Sequence, residues 1–523
     1  MSRLFLIAVL TALPVSAQVA GSLTGKVVDP SGAIVPGATV GVYLPGGKSP
    51  LISGKTNSAG IFAFTPVQPD TYTVAIDAAG FGRMELAGVK VDPLQAKDLG
   101  SVKLAVQTAS QVVEVTTEVQ NVQLTNAEVS NTITNEQVEN LPVLGRQVSA
   151  LYSTQPGVNA TNDTTSINGL RSSFTNLTID GINVQDNYIR TNDLDYPPLR
   201  TTIDQIAEIT VVSTNSGATI GGGASQVVLS TKSGSNNYHG SIYWYNRNSA
   251  LGANNWFNNQ ANVKLPFRNL NQAGAAMGGR IIRDKLFFYS NYEAYRNKQQ
   301  TSYLRTVLTD SARNGIFTFR DTAGNLQQVN LLTLRNFTID PTMKALISQL
   351  PEPNATGTGD GLNTTGYRFN ARNNENRDQI INKIDYYITP KQSITGTYNW
   401  ISNPTDRPDV ASVFTVAPPV NNVLHENLLS LAWRWTFTPT LTNEARFGFL
   451  FNHGDFLDTT KYPSAIVGVQ LFTNPVTTFL NQGRTTKTYS VQDNANWVHG
   501  AHVVSFGYQG SYIRTAPFND AGI

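Results

Sequence analysis

From residue 238 onward, extended segments come in pairs, and two very different kinds of connection join them. Segments 376–388 and 392–402 are joined by Thr389-Pro390-Lys391, 424–437 and 440–453 by Thr438-Pro439, and 484–498 and 502–514 by His499-Gly500-Ala501. Segment 285–298 follows the turn Arg283-Asp284. Long polar stretches at about 249–269, 299–375, 403–423 and 454–483 separate the pairs. A chain that alternates tight turns with long loops makes antiparallel hairpins whose tight turns all lie on one side.

Within these segments the two faces differ. Leu429, Leu431, Trp433, Trp435 and Phe437 alternate with Ser430, Ala432, Arg434 and Thr436. Ala445, Phe447, Phe449 and Phe451 alternate with Glu444, Arg446, Gly448 and Asn452, and Val504, Phe506, Tyr508 and Tyr512 with Ser505, Gly507, Gln509 and Ser511. Ile394, Tyr398 and Trp400 likewise oppose Thr395, Thr397 and Asn399. A period of two puts each set on its own side of a sheet. An aromatic outer face and a charged inner face, on strands about ten residues long, fit a barrel that crosses a bilayer. Short turns then face the periplasm and long loops the exterior.

Composition agrees. Charged residues make up 14% of the 523, mean hydropathy is -0.20, and no run of 18 apolar residues offers a spanning helix. A net charge of +2 argues against nucleic acid as a partner. The absence of cysteine excludes disulfide scaffolds, thiol catalysis and Cys-based metal sites. Residues 1–17 read as a cleaved export signal: Arg3, an apolar run from Leu4 to Leu13, and a small-residue site that cuts between Ala17 and Gln18.

The fold class expected is mostly β, in three parts. Residues 20–105 show short strands separated by turn clusters such as Pro45-Gly46-Gly47 and Thr56-Asn57-Ser58-Ala59-Gly60. The stretches 25–40, 56–64 and 69–74 resemble the carboxypeptidase regulatory-like domain, which implies a seven-stranded prealbumin-like sandwich with a carbohydrate-binding-like fold. Residues 106–235 form a mixed α+β unit. Thr134 caps a helix that ends at Leu141-Pro142, Leu144 to Leu151 reads as a second short helix, and strand–turn segments follow. Residues 236–523 are the barrel part, with about nine strands.

The order of motifs in 106–235 resembles the plug domain of TonB-dependent outer-membrane receptors. They are Leu141-Pro142, Pro156-Gly157-Val158, Asn168-Gly169-Leu170-Arg171, Ile179-Asp180-Gly181-Ile182, Ile203 to Ile209, and the glycine cluster ahead of Val227 to Asn236. The resemblance implies plug roles for Asn168, Gly169, Arg171, Asp180 and Gly181. It also implies a TonB box at Val112, Val113, Glu114, Val115, Thr116 and Thr117, and periplasmic TonB as partner. The regulatory-like domain ahead of the plug, with 237–245 and 278–295, resembles the Oar-like subgroup. Transporters of this kind close at about 22 strands, so the sequence reads as the N-terminal fragment of a longer protein.

Chemistry is sparse. Gly221-Gly222-Gly223 lacks the Lys-Ser/Thr of a P-loop, and Gly47-Lys48-Ser49 has Val42 where its first glycine belongs. Asp180 to Asp186 puts Ile182 where a calcium loop needs a ligand. His499 and His502 flank a turn. No catalytic, cofactor or metal residues are assigned, and no enzyme activity is expected. The expectation is an outer-membrane receptor that takes up a bulky glycan, peptide or chelate, driven by TonB, with outer-membrane lipid around it and an unidentified extracellular ligand. The alternative is an adhesion or surface-organising protein of the same architecture without transport.

Overall fold

The computed structural model describes residues 20–106, 113–116, 128–161, 164–189, 199–216, 221, 223–411, 413–438, 440–460, 471–499 and 502–520. The export signal, with Ala17 and Gln18, lies outside them, as do Val112 and Thr117 of the expected TonB box.

The first seven strands are β1 (Gly21–Val28), β2 (Thr39–Tyr43), β3 (Ile52–Lys55), β4 (Ile61–Val67), β5 (Asp70–Asp77), β6 (Met84–Val91) and β7 (Ala96–Lys103). They form two sheets, β4-β1-β7 and β3-β2-β5-β6, and β8 (Val113–Thr116) extends the second. Leu23, Val40, Phe64, Val74 and Ile76 meet between the sheets. Alternation along β4 and β5 supplies this core, since every second side chain points inward.

The next strands are β9 (Val129–Ile133), β10 (Val158–Thr161), β11 (Thr164–Ile167), β12 (Leu170–Arg171), β13 (Thr175–Ile179), β14 (Ile182–Asn183), β15 (Ile206–Thr214) and β16 (Ser225–Thr231). Five of them make one sheet in the order β14-β13-β16-β15-β9. The helix Asn135–Asn140 opens on the expected Thr134 cap, a full capping box with Gln137. The second expected helix is broken. Gly145 and Arg146 take φ of 79° and 54°, so only a turn at Leu144–Arg146 and a short helix at Ser149–Tyr152 form. Left-handed residues end a right-handed helix.

The remaining strands are β17 (His239–Asn248), β18 (Arg268–Ile282), β19 (Leu286–Leu308), β20 (Ile316–Arg320), β21 (Leu326–Asn330), β22 (Thr364–Arg372), β23 (Glu375–Thr389), β24 (Gln392–Asp406), β25 (Val420–Thr438), β26 (Leu441–Asp458), β27 (Gln482–His499) and β28 (His502–Asn519). Nine neighbour one another in the antiparallel order β17-β18-β19-β23-β24-β25-β26-β27-β28, and β22 pairs with the far half of β19. The strands run further than their apolar alternation indicates. Residues 299–308, expected in a loop, continue β19, and 300–308 pair with β22. Beyond the hydrocarbon band both faces are wet, so the ladder persists after the apolar signal ends. The other hairpin, β20–β21, and the helix Pro341–Ile347 belong to the long connection between β19 and β22; Asp340 caps that helix.

The wall curves around the β9–β16 sheet, and Ile401, Leu428 and Leu450 of the wall pack into that sheet's core with Ile179, Ile209 and Leu229. Leu431, Trp433 and Phe437 point outward and are well exposed, while Ser430 and Ala432 are buried on the inner side. Trp433, Trp435 and Phe437 stack along the outer face near the β25–β26 turn, where an interfacial aromatic girdle belongs. Leu431→Arg should cost about 2–4 kcal/mol in lipid, as for a cation near the bilayer midplane, and Asn443→Arg at the rim about 0–1. Denaturant unfolding in vesicles measures both; equal costs would contradict this placement of the wall.

Candidate functional site

Asp180 and Gly181 make the tight turn between β13 and β14, with φ of 44° and 81°. Two consecutive residues with positive φ favour a pair such as Asp-Gly. A side chain at Gly181 would also collide with the Arg446 guanidinium, 2.7 Å from the position its Cβ would take.

This turn is fastened to the inside of the wall. Asp180 Oδ1 accepts from Thr231 N at 3.0 Å, and Oδ2 from Thr231 Oγ1 at 2.5 Å and Thr397 Oγ1 at 2.7 Å. Lys383 Nζ stands 3.9 Å from Oδ2 and donates to Thr231 O at 3.1 Å. The Asp180 carbonyl accepts from Ser430 Oγ at 3.1 Å and from Arg446, and the Gly181 carbonyl from Gln492 Nε2 at 2.9 Å. Four wall strands, β23 to β26, and β27 therefore hold one turn. Arg446 and Arg434 share Glu444 at 2.7 and 2.6 Å, so the inner charges are paired. Burial alone would raise the Asp180 pKa; Lys383 and the hydrogen bonds from Thr231 and Thr397 outweigh it and hold the carboxyl below its ordinary value.

A second fastening lies further from the short turns. Asp186 pairs with Arg484, and Asn187 Nδ2 donates to Thr488 Oγ1 at 3.0 Å. Above it opens a cavity of about 1220 Å³ between residues 186–189 and the outer half of the wall. Asn403, Asn422, Asn452 and Gln482 contribute carboxamides to it, and Tyr188 and Phe456 contribute rings. Its arginines are neutralised locally: Arg200 with Glu375 at 3.6 Å, Arg407 with Asp409 at 2.6 Å, and Arg484 with Asp186.

The other residues singled out in the sequence go elsewhere. Asn168 and Gly169 turn the β11–β12 hairpin with φ of 49° and 78°. Asn168 Nδ2 donates to Ser213 O at 3.0 Å, and its side chain fills the space beside Gly157, so both shape the turn. Arg171 is exposed at the end of β12. Val113 to Thr116 form β8, paired in parallel with Met84 to Ala87. The wall partners of Asp180 were not singled out as a site. For one of them, Arg446, the signal was its place beside Arg434 and Glu444 on the inner face of strands with few charges. Among the described residues no group of three or more His, Asp or Glu could hold a metal ion.

Asp180→Ala would leave Lys383 buried without its anion, a change that typically costs about 3–5 kcal/mol. The lowered pKa gives a sign: the stabilisation is present above the unfolded carboxyl value and is lost as pH falls through the lower folded value. Amide-exchange protection of β13 and β16 should weaken in acid, and Asp180→Asn should remove that acid dependence. An unchanged acid profile in Asp180→Asn would rule out the linkage.

Three family models match: an outer membrane beta barrel domain over residues 230–522, a carboxypeptidase regulatory-like domain over 22–105, and a TonB-dependent receptor plug domain over 121–228. The chain is similar to the TonB-dependent transporter Oar of Myxococcus xanthus, 22% identical over 286 residues, covering 51% of this chain and 26% of the relative. Among solved structures it is similar to the siderophore receptor PirA of Acinetobacter baumannii (13% identity, TM-score 0.46) and the outer membrane transporter YddB of Escherichia coli (11% identity, TM-score 0.47). Each alignment covers 74% of this chain and 48% of the neighbour. The chain thus spans about a quarter of the curated relative's length and about half that of these neighbours. With more than half of its residues inside the barrel model and the plug model ahead of it, the chain belongs to the TonB-dependent outer-membrane receptors, a family of receptors and transporters of the Gram-negative outer membrane.

Proposed function

We propose that this chain supplies the regulatory-like domain, plug and first barrel strands of a receptor that takes a bulky glycan, peptide or chelate from outside the cell and passes it inward under the pull of periplasmic TonB. The observation that carries the reading is the cavity of about 1220 Å³ above a plug turn fastened to five barrel strands. Substrate occupies that cavity and touches the apex at 186–189. The plug blocks passage until part of it is displaced. The cell's inner membrane supplies the energy, and the chain supplies no bond chemistry.

In this reading Val113 to Thr116 is the segment that TonB grips. A strand at the end of a sheet has backbone groups available for a partner strand on its open side. Val115→Pro removes one N–H and should abolish uptake while leaving the amount of receptor in the outer membrane unchanged. Glu114→Cys should crosslink to a cysteine-bearing TonB in cells. Normal uptake in Val115→Pro, or no crosslink from any of positions 113–116, would move the TonB box elsewhere.

Because the cavity's arginines are already paired, ligand capture should depend weakly on salt, unlike capture of a polyanion by a bare cationic surface. Binding to receptor-bearing cells at low and high ionic strength measures this. A steep loss with salt would mean that ligand displaces the internal carboxylates.

A further inference from the structure

The sandwich of β1–β7 does not hang free below the barrel. It is seated on the barrel's short-turn rim. Gln68, in the turn between β4 and β5, uses its whole carboxamide there: Nε2 donates to Asp385 Oδ1 at 2.8 Å and Thr395 Oγ1 at 2.7 Å, and Oε1 accepts from Tyr387 OH at 2.6 Å. Ser53 N donates to Pro390 O at 3.3 Å in the β23–β24 turn. At the β18–β19 turn, Asp284 Oδ2 accepts from Lys48 N at 3.1 Å and Ser49 N at 3.3 Å, while Arg283 donates to Gly46 O at 2.9 Å. Phe287 of β19 is only 1% exposed and belongs to the sandwich's own hydrophobic core, edge-on to Tyr387. Lys90 of the sandwich pairs with Glu208 of the plug sheet.

These contacts enclose a second cavity, of about 410 Å³, directly beneath the Asp180 turn. Gln68 and Lys90 line it from the sandwich, Glu208 and Ser230 from the plug, and Lys383 and Arg446 from the wall. It is a vestibule on the periplasmic side of the plug, bounded by three parts of the chain.

We propose that the sandwich is a removable cap on the periplasmic mouth of the barrel, seated through Gln68 and Phe287, and that the pull on the plug lifts it. The mechanical link is on the page. β8, the segment assigned to TonB, pairs with β6 over four residues, β6 pairs with β5, and β5 begins at Asp70, two residues after Gln68. Tension on β8 is thereby applied to the sheet whose end makes the rim contact. The assignment of the pull rests on the transport reading; the seating does not, and the two fail separately below.

The 523 residues hold no cysteine, and the receptor without substitutions is the background control for introduced thiols. In cells carrying the complete receptor gene, Ser53→Cys with Pro390→Cys should form a disulfide, because their backbones already touch. Ser53→Cys with His502→Cys, at a turn that none of these contacts reaches, should not. Equal crosslinking by both pairs, or by neither, would overturn the seating. Ser230→Cys alone should react with a polyethylene glycol maleimide roughly tenfold faster when Gln68→Ala and Phe287→Ala are added, with the barrel's heat-modifiable gel mobility unchanged. Equal rates would show that the sandwich closes nothing. If the loosened variant fails to assemble, the disulfide pair still decides the seating. Finally, oxidised Ser53→Cys/Pro390→Cys receptor should lose uptake and regain it on reduction. Unimpaired uptake with the disulfide intact would overturn the lifting while leaving the transport reading in place, whereas loss of TonB dependence in unmodified receptor would sink the transport reading and leave the seating.

Discussion

Hydrocarbon offers a backbone N–H no partner except another backbone group, and the rest of this structure follows from that. A strand in lipid must be paired on both sides. The long ladders of β17 to β28 are the response, and they dictate an outer face of Leu, Phe, Trp and Tyr together with an inner face that lipid never touches. The inner face is free to be polar, and Lys383, Arg434, Glu444 and Arg446 lie there. Once inside, those charges are away from bulk water, so each must find a counter-charge or a hydrogen bond. Glu444 between Arg434 and Arg446 is one solution within the wall. Asp180 with Lys383 is another, and it needs the plug.

The plug is therefore a bonding partner of the wall's inner face as well as the filling of its lumen. Removing it would strand Lys383 and take from Arg446, Ser430, Thr397 and Gln492 the plug oxygens they bond. Water can replace those partners only when it has access. A closed, dry junction holds strongly, and the same junction loosens once wetted, because charges that attract in low dielectric are screened in high. Lifting the sandwich from the vestibule would admit water to the underside of that junction.

How much of this was legible depends on distance along the chain. The hairpins were legible because turn and alternation are local, and the Thr134 capping box was legible within four residues. The short helix at 144–151 was misread because its apolar spacing suits a helix while Gly145 and Arg146 adopt left-handed backbone. The far half of β19 was missed because polar residues on both faces carry no period. Asp180 stood out as part of a motif, but Thr397 lies 217 positions away and only the fold joins them. Gln68 carried no signal at all: a glutamine in a turn looks the same whether it meets water or, as here, Asp385, Thr395 and Tyr387.

Sheet order also determines how the plug can yield. β9 is the strand of the plug sheet nearest in sequence to β8, and among the described residues it lies at the sheet's edge, paired with β15 alone. β13, which leads into the Asp180 turn, is separated from β9 by β15 and β16. If TonB pulls on β8, as proposed above, the pull reaches a strand that can peel from one neighbour without disturbing the turn fastened to the wall. Edge strands with half-exposed ladders sit at the low end of local stability, and buried, ion-paired turns at the high end. Partial withdrawal, with β9 leaving and the Asp180 turn remaining, is then the cheaper path. It would keep the bonds between the Asp180 turn and the inner faces of β23 to β27.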